Sequence, residues 1–221
     1  MKKILLLISI ALITFNTSLF SQTEQDRRFE QMAKELLSKA SNKIQSFKTM
    51  EVDFSYEMEN SEFDISESMQ GKLLSKGDKY HMTVGYNVFI SDGETVWNYI
   101  DELDELHINY VENTEGGLTP TTLLANFETE YNSKFIRQET HKGKSVNIID
   151  LVPTTPQSFF KYRVALNTTD DMLVYTIAYD RHGGTYTYNL EKIRTNHDIS
   201  DAKFGFNKAD FPSDIDIIDL R

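Results

Sequence analysis

Ile90-Ser91-Asp92-Gly93-Glu94-Thr95-Val96-Trp97-Asn98-Tyr99-Ile100 reads as two extended segments joined by a tight turn. Gly93 takes positive φ without strain, and Asp92 closes the turn through its own side chain. Past the turn come Trp97, the only Trp of the chain, and Tyr99. They stand two residues apart and so share one face of a sheet. An aromatic pair on one face of a hairpin calls for an apolar space to fill.

Toward the N-terminus the same period of two continues. Tyr80, Met82 and Val84 alternate with Lys79, His81 and Thr83, after Leu73-Leu74 and a Lys76-Gly77-Asp78 break. Earlier, Val52, Phe54, Tyr56 and Met58 alternate with Asp53, Ser55, Glu57 and Glu59, a half-buried antiparallel strand. Asn60-Ser61 turns the chain, and Phe63, Ile65 and Met69 line up on the return strand toward Gly71.

Toward the C-terminus, Asp101-Glu102-Leu103-Asp104-Glu105 crowds four carboxylates into five residues. It lacks the spacing and Gly bend of a calcium loop, so it reads as a solvated turn. Leu106, Ile108 and Tyr110 resume the alternation, and Gly116-Gly117 ends it. Thr119-Pro120 starts a short helix whose apolar side is Leu123, Leu124 and Phe127. Beyond Tyr131 three hairpins follow. They turn at His141-Lys142-Gly143, Asp170-Asp171 and His182-Gly183-Gly184. Phe160, Tyr162, Val164 and Leu166 alternate on one strand, Leu173, Tyr175, Ile177 and Tyr179 on the next, then Tyr186, Tyr188 and Leu190. Such apolar-aromatic inner faces predict a curved, barrel-like antiparallel sheet. The tail ends on an alternating Asp214-Ile215-Asp216-Ile217.

Ahead of the strands, Phe29, Met32, Leu36, Ala40, Ile44 and Phe47 recur at helical steps. The spacing predicts an amphipathic helix over roughly Glu24 to Ser46, with Thr23 as N-cap. Met1-Lys2-Lys3 and the apolar run Ile4 to Phe15 read as a secretory signal peptide, residues 1–21, cut after Ser21. That leaves 221 − 21 = 200 residues, 22–221, as one domain. The chain has no Cys, which excludes disulfides, a thiol nucleophile and lipidation on Cys. The formal charge is −11, and losing Lys2 and Lys3 makes it −13, which opposes binding to nucleic acid or anionic membranes. The five His are widely spaced, no Gly-x-Ser-x-Gly elbow exists, and no Gly-rich phosphate loop opens a helix. The sequence therefore calls for no metal, no cofactor, no catalytic residue and no enzymatic activity.

Several stretches, in order, resemble the periplasmic outer-membrane lipoprotein carrier (LolA) family. They are the opening helix ending near Phe47, Val52-Asp53-Phe54, Gly71-x-Leu73, Ser91-Asp92-Gly93-x-Thr95-x-Trp97-x-Tyr99, Thr119-Pro120 with Leu123-Leu124, and Asp201-Ala202-Lys203-Phe204-x-Phe206. The resemblance implies an α+β fold: an incomplete antiparallel β-barrel, a strongly curved sheet, whose open side helices cover as a lid. It implies a periplasmic carrier that shelters lipoprotein acyl chains and shuttles them from an inner-membrane lipoprotein-releasing ABC transporter to an outer-membrane acceptor, as a monomer. It also implies a lipid cavity lined by Phe54, Tyr56, Met58, Leu73, Tyr80, Met82, Ile90, Trp97, Tyr99, Leu123, Leu124 and Phe127. On that lining, Trp97 fluorescence should shift to the blue when acyl detergent binds. The family's Arg-Pro step reads Lys76-Gly77-Asp78 here, so Lys76 is the lid-latch candidate, without a planar bidentate contact. A lipid-binding or envelope-stress-sensing module of the same fold, with a different lipid, stands as the alternative function.

Overall fold

The computed structural model describes residues 2–113, 123–124 and 126–221, with side chains from residue 24 onward except residue 113. Among these residues twelve strands form one sheet. In chain order they are β1 (Met50–Asn60), β2 (Ile65–Lys76), β3 (Lys79–Val84), β4 (Asn87–Ser91), β5 (Thr95–Ile100), β6 (Glu105–Tyr110), β7 (Tyr131–His141), β8 (Lys144–Pro153), β9 (Phe159–Asn167), β10 (Leu173–Asp180), β11 (Gly184–Thr195) and β12 (Asp216–Asp219). Their order across the sheet is β12-β6-β5-β4-β3-β2-β1-β11-β10-β9-β8-β7. Only β12 on β6 is parallel. The edge strands β12 and β7 do not pair with each other, which makes this an open barrel. Phe89 of β4 and Phe159 of β9 line one cavity although they lie six strand steps apart. A flat sheet would hold them roughly 29 Å apart at about 4.8 Å per step, so the sheet curls around that space.

One long helix, α1 (Lys2–Gln45), precedes the sheet. The sequence predicts a start near Glu24, but the helix runs on through Thr23 from Lys2. No Gly or Pro interrupts residues 2–45, so nothing in the backbone chemistry stops it. Ala33, Leu37 and Ala40 are fully buried and pack on the concave face with Ile149, Leu151, Val164 and Leu166. Phe29 meets Phe135 of β7 at 5.9 Å, and Lys134 on β7 pairs with Asp26 at 2.7 Å. Farther along, Ile44 and Phe47 roof Met50, Val52, Phe54, Leu73 and Tyr80. Gly116-Gly117 and Thr119-Pro120 lie outside the described residues. Leu123, Leu124 and Phe127 of the expected short helix are buried against α1, and a single helical turn spans Phe127–Glu130.

The convex face carries its own cover. Tyr99, Leu106 and Ile108 pack with Ile215, Phe206 and Phe211 of the C-terminal tail, Tyr99 and Phe211 at 5.2 Å. The strap is pinned where His81 Nδ1 meets the Lys203 carbonyl at 2.8 Å and where Thr49 Oγ1 donates to the His197 carbonyl.

A cavity on the concave face

Cross-strand pairing decides which side chains look inward. Val52, Phe54, Tyr56 and Met58 of β1 pair with Leu73, Gly71, Met69 and Glu67 of β2. Leu73 and Gly71 pair in turn with Met82 and Val84 of β3, and those with Phe89 and Asn87 of β4. On the other side Tyr56 pairs with Tyr188 of β11, which pairs with Thr176 of β10. One concave surface therefore runs from β4 to β9.

Directly under Ile44 this surface is closely packed. Only about 10 Å³ remains among Ile44, Val52, Phe54, Leu73 and Leu190, room for about one water. Toward the opposite end, where the β1–β2, β3–β4, β5–β6 and β10–β11 connections gather, it opens into a cavity of about 480 Å³. Its walls are Tyr56, Met69, Met82, Val84, Phe89, Ile100, Phe159, Tyr162, Ala178, Tyr186 and Tyr188, with Glu67, Asn87 and Glu102 as its other polar residues. That volume falls within the roughly 300–1,000 Å³ of small-molecule pockets. Aromatic contacts stiffen both walls. Tyr188 stands 5.7 Å from Phe54 and 5.1 Å from Tyr56, while Phe159 stands 5.7 Å from Tyr162 and 5.2 Å from Tyr186.

The hydroxyls of Tyr56, Tyr186 and Tyr188 in this lining are held neutral. Burial pushes Tyr188 up to about 12, aided by Tyr186, and raises Tyr56, with Tyr188, Tyr186 and Glu67 adding to it. Tyr186 is raised by burial and by donating to Asp180 Oδ2 at 2.9 Å. Asp180 is held low despite burial, because it also accepts from the Gly184 and His182 amides.

Of the residues expected to line a cavity, Tyr56 and Met82 do so. Met58 shares their face one pair nearer the mouth. Phe54, Leu73 and Tyr80 belong to the packed floor, and Leu123, Leu124 and Phe127 to the core beneath α1. Ile90, Trp97 and Tyr99 correct the expectation. Ile90 pairs with Trp97, and Val88 with Tyr99, on the convex face under the tail. The reason is parity. The two-residue Gly85-Tyr86 turn sets Met82 opposite Phe89, so Ile90 and everything in register with it points away. The Asp92-Gly93 turn itself forms as read, Asp92 Oδ1 accepting from the Glu94 and Thr95 amides at 3.0 and 2.8 Å.

Lys76 is also corrected. It pairs with Asp201 of the tail at 3.0 Å, on the convex side of β2.

Two bulges account for most of what the alternation misses. The register shift between Leu173 and Tyr175 leaves Val174 as the extra residue of β10 and flips that strand's faces, and the shift between Tyr179 and Asp180 leaves Phe160 as the extra residue of β9. Thr176 and Ala178 point inward in place of Tyr175, Ile177 and Tyr179, and Phe159 enters the cavity in place of Phe160. Ala178 thus sits where a large residue was expected, and the space it leaves is part of the cavity. Among the described residues no group of three or more His, Asp or Glu could hold a metal ion.

Fold and site together define an open antiparallel barrel, roofed in part by one helix, that keeps an apolar-aromatic cavity on its concave face. Residues 45–207 match the family described as outer membrane lipoprotein carrier protein LolA, and the chain belongs to that family. It is similar to the outer-membrane lipoprotein carrier protein of Legionella pneumophila (strain Lens), 24% identical over 215 residues, which cover 96% of this chain and 98% of that one. The carrier protein of Sodalis glossinidius (strain morsitans) is 24% identical over 191 residues, 85% of this chain and 88% of the other. Among solved structures, an uncharacterized conserved protein from Thermus thermophilus superposes with a TM-score of 0.56 at 10% identity, covering 85% of this chain and 99% of that one. At that identity the likeness shows the fold alone.

Proposed function

We propose that this protein is a periplasmic lipoprotein carrier. After loss of residues 1–21, the single domain of residues 22–221 takes the acyl chains of a lipoprotein into the concave cavity. It receives them at an inner-membrane ABC transporter and gives them up to an outer-membrane acceptor. The observation that carries this reading is the cavity of about 480 Å³ bounded by Tyr56, Met69, Met82, Phe89, Phe159 and Tyr188. Each methylene kept from water is worth about 0.8 kcal/mol, so an acyl chain cannot cross an aqueous compartment without such a shelter. Met69 and Met82 suit the task, because an unbranched thioether adapts to an irregular guest. Family membership supports the same reading.

Lys76 favours a second one. Its engagement with Asp201 leaves the helix without the cationic latch that the family pattern suggests. A lipid-binding or stress-sensing module that opens differently fits that departure. Native mass spectrometry of the protein isolated from a Gram-negative envelope separates the two. A bound lipoprotein is expected for the carrier and a bound free lipid for the module. An empty protein that takes up neither when offered them contradicts both.

A further inference from the structure

We infer that the cavity discriminates by head-group charge. It accepts acyl chains whose polar end is neutral or cationic and rejects free fatty acids, with Glu67 and Glu102 as the selecting residues. The inference rests on the carrier reading above and adds the chemical class of its guest.

The floor beneath Ile44 is filled, so a chain enters tail first and leaves its polar end at the mouth. There Glu67, near the start of β2, and Glu102, in the 3-10 turn Asp101–Leu103 after β5, stand on the cavity lining. Neither forms an ion pair among the described residues, and the lining contains no Lys or Arg. The remaining polar groups include the Asn87 amide and the neutral hydroxyls of Tyr56 and Tyr188, donors suited to ester or amide carbonyls. Low-dielectric walls focus the field of the two carboxylates onto whatever sits between them. A fatty-acid carboxylate placed there meets like charge with no compensating cation, whereas an acyl ester or amide carries no charge to repel.

The probe is displacement of the uncharged dye N-phenyl-1-naphthylamine at neutral pH by three twelve-carbon amphiphiles below their micelle concentrations. They are dodecyl maltoside, dodecyltrimethylammonium and dodecanoate. The expected result is displacement by the first two, with dodecanoate weaker by roughly tenfold or more, the size of effect two nearby charges produce at intermediate dielectric. In Glu67→Gln/Glu102→Gln, two exposed positions that leave the core untouched, dodecanoate should close most of that gap. In Glu30→Gln/Glu35→Gln, which removes equal charge from the exposed side of α1, it should not. Equal displacement by all three, or an equal gain in both double variants, overturns the head-group inference and leaves the carrier reading standing. A protein that binds neither dye nor any amphiphile overturns both.

Discussion

Gly71 shows how one residue shapes the concave face. Its partner across β1 is Phe54, whose ring lies where a side chain at 71 would stand. A Cβ there would overlap that ring and come within 2.7 Å of the Thr83 carbonyl oxygen. Gly71→Ala should therefore lower stability by about 1–3 kcal/mol, the usual cost of overpacking, read as a lower urea midpoint at unchanged slope. The tyrosines give a pH prediction. Burial pushes Tyr80 and Tyr188 up to about 12, above the unfolded value of about 10. The neutral form is the one the fold favours, so their contribution is complete below about pH 10 and is lost as pH rises through about 12. Stability should fall over that interval, and ultraviolet titration should find these phenols ionising above the ordinary tyrosine range. A melting temperature flat from pH 9 to 12 would contradict the burial of these hydroxyls.

At the scale of strands and turns, the local pattern was legible and the faces were not. Alternation placed β1, β3 and β9–β11, and Asp92-Gly93 placed the central hairpin. Parity across Gly85-Tyr86, available from the sequence, would have put Phe89 inside and Trp97 outside. The β10 bulge at Val174 left no such signal, because Leu173, Tyr175, Ile177 and Tyr179 alternate as well as any strand. A bulge is a property of the pairing between strands, which one strand's sequence does not carry. Its result is Ala178 on the cavity wall, and Ala178→Leu should occupy the space an acyl chain needs. Amphiphile binding by that variant should weaken while its melting temperature stays within a few degrees of the parent. Trp97, on the far face with Phe206 and Phe211, should report the tail instead of the guest. Its emission should stay unchanged when dodecyl maltoside binds and move to the red in Phe211→Ala. A blue shift on detergent binding would reinstate the cavity at that residue.

Taken as a whole, the molecule divides one sheet between two apolar faces with different uses. Over β4–β6 the convex side is closed by the chain's own tail, at Ile215 and Phe211, and the Lys76–Asp201 pair ties that tail to β2. The concave side is closed by α1 over the floor and left hollow near the mouth. The four Lys and Arg contacts around Glu51 and Asp53 brace β1 against β2 and β11, and Lys72 first, then Arg194, holds Glu51 below the usual carboxylate range. The central claim is that an alkyl chain lodges in the concave hollow and nowhere else. Photocrosslinking with an acyl chain bearing a diazirine, followed by peptide mass spectrometry, tests it most directly. Labels on Tyr56, Met69, Met82, Phe89 and Phe159 are the predicted result, and labels concentrated on Trp97, Tyr99, Phe206 and Phe211 would contradict it.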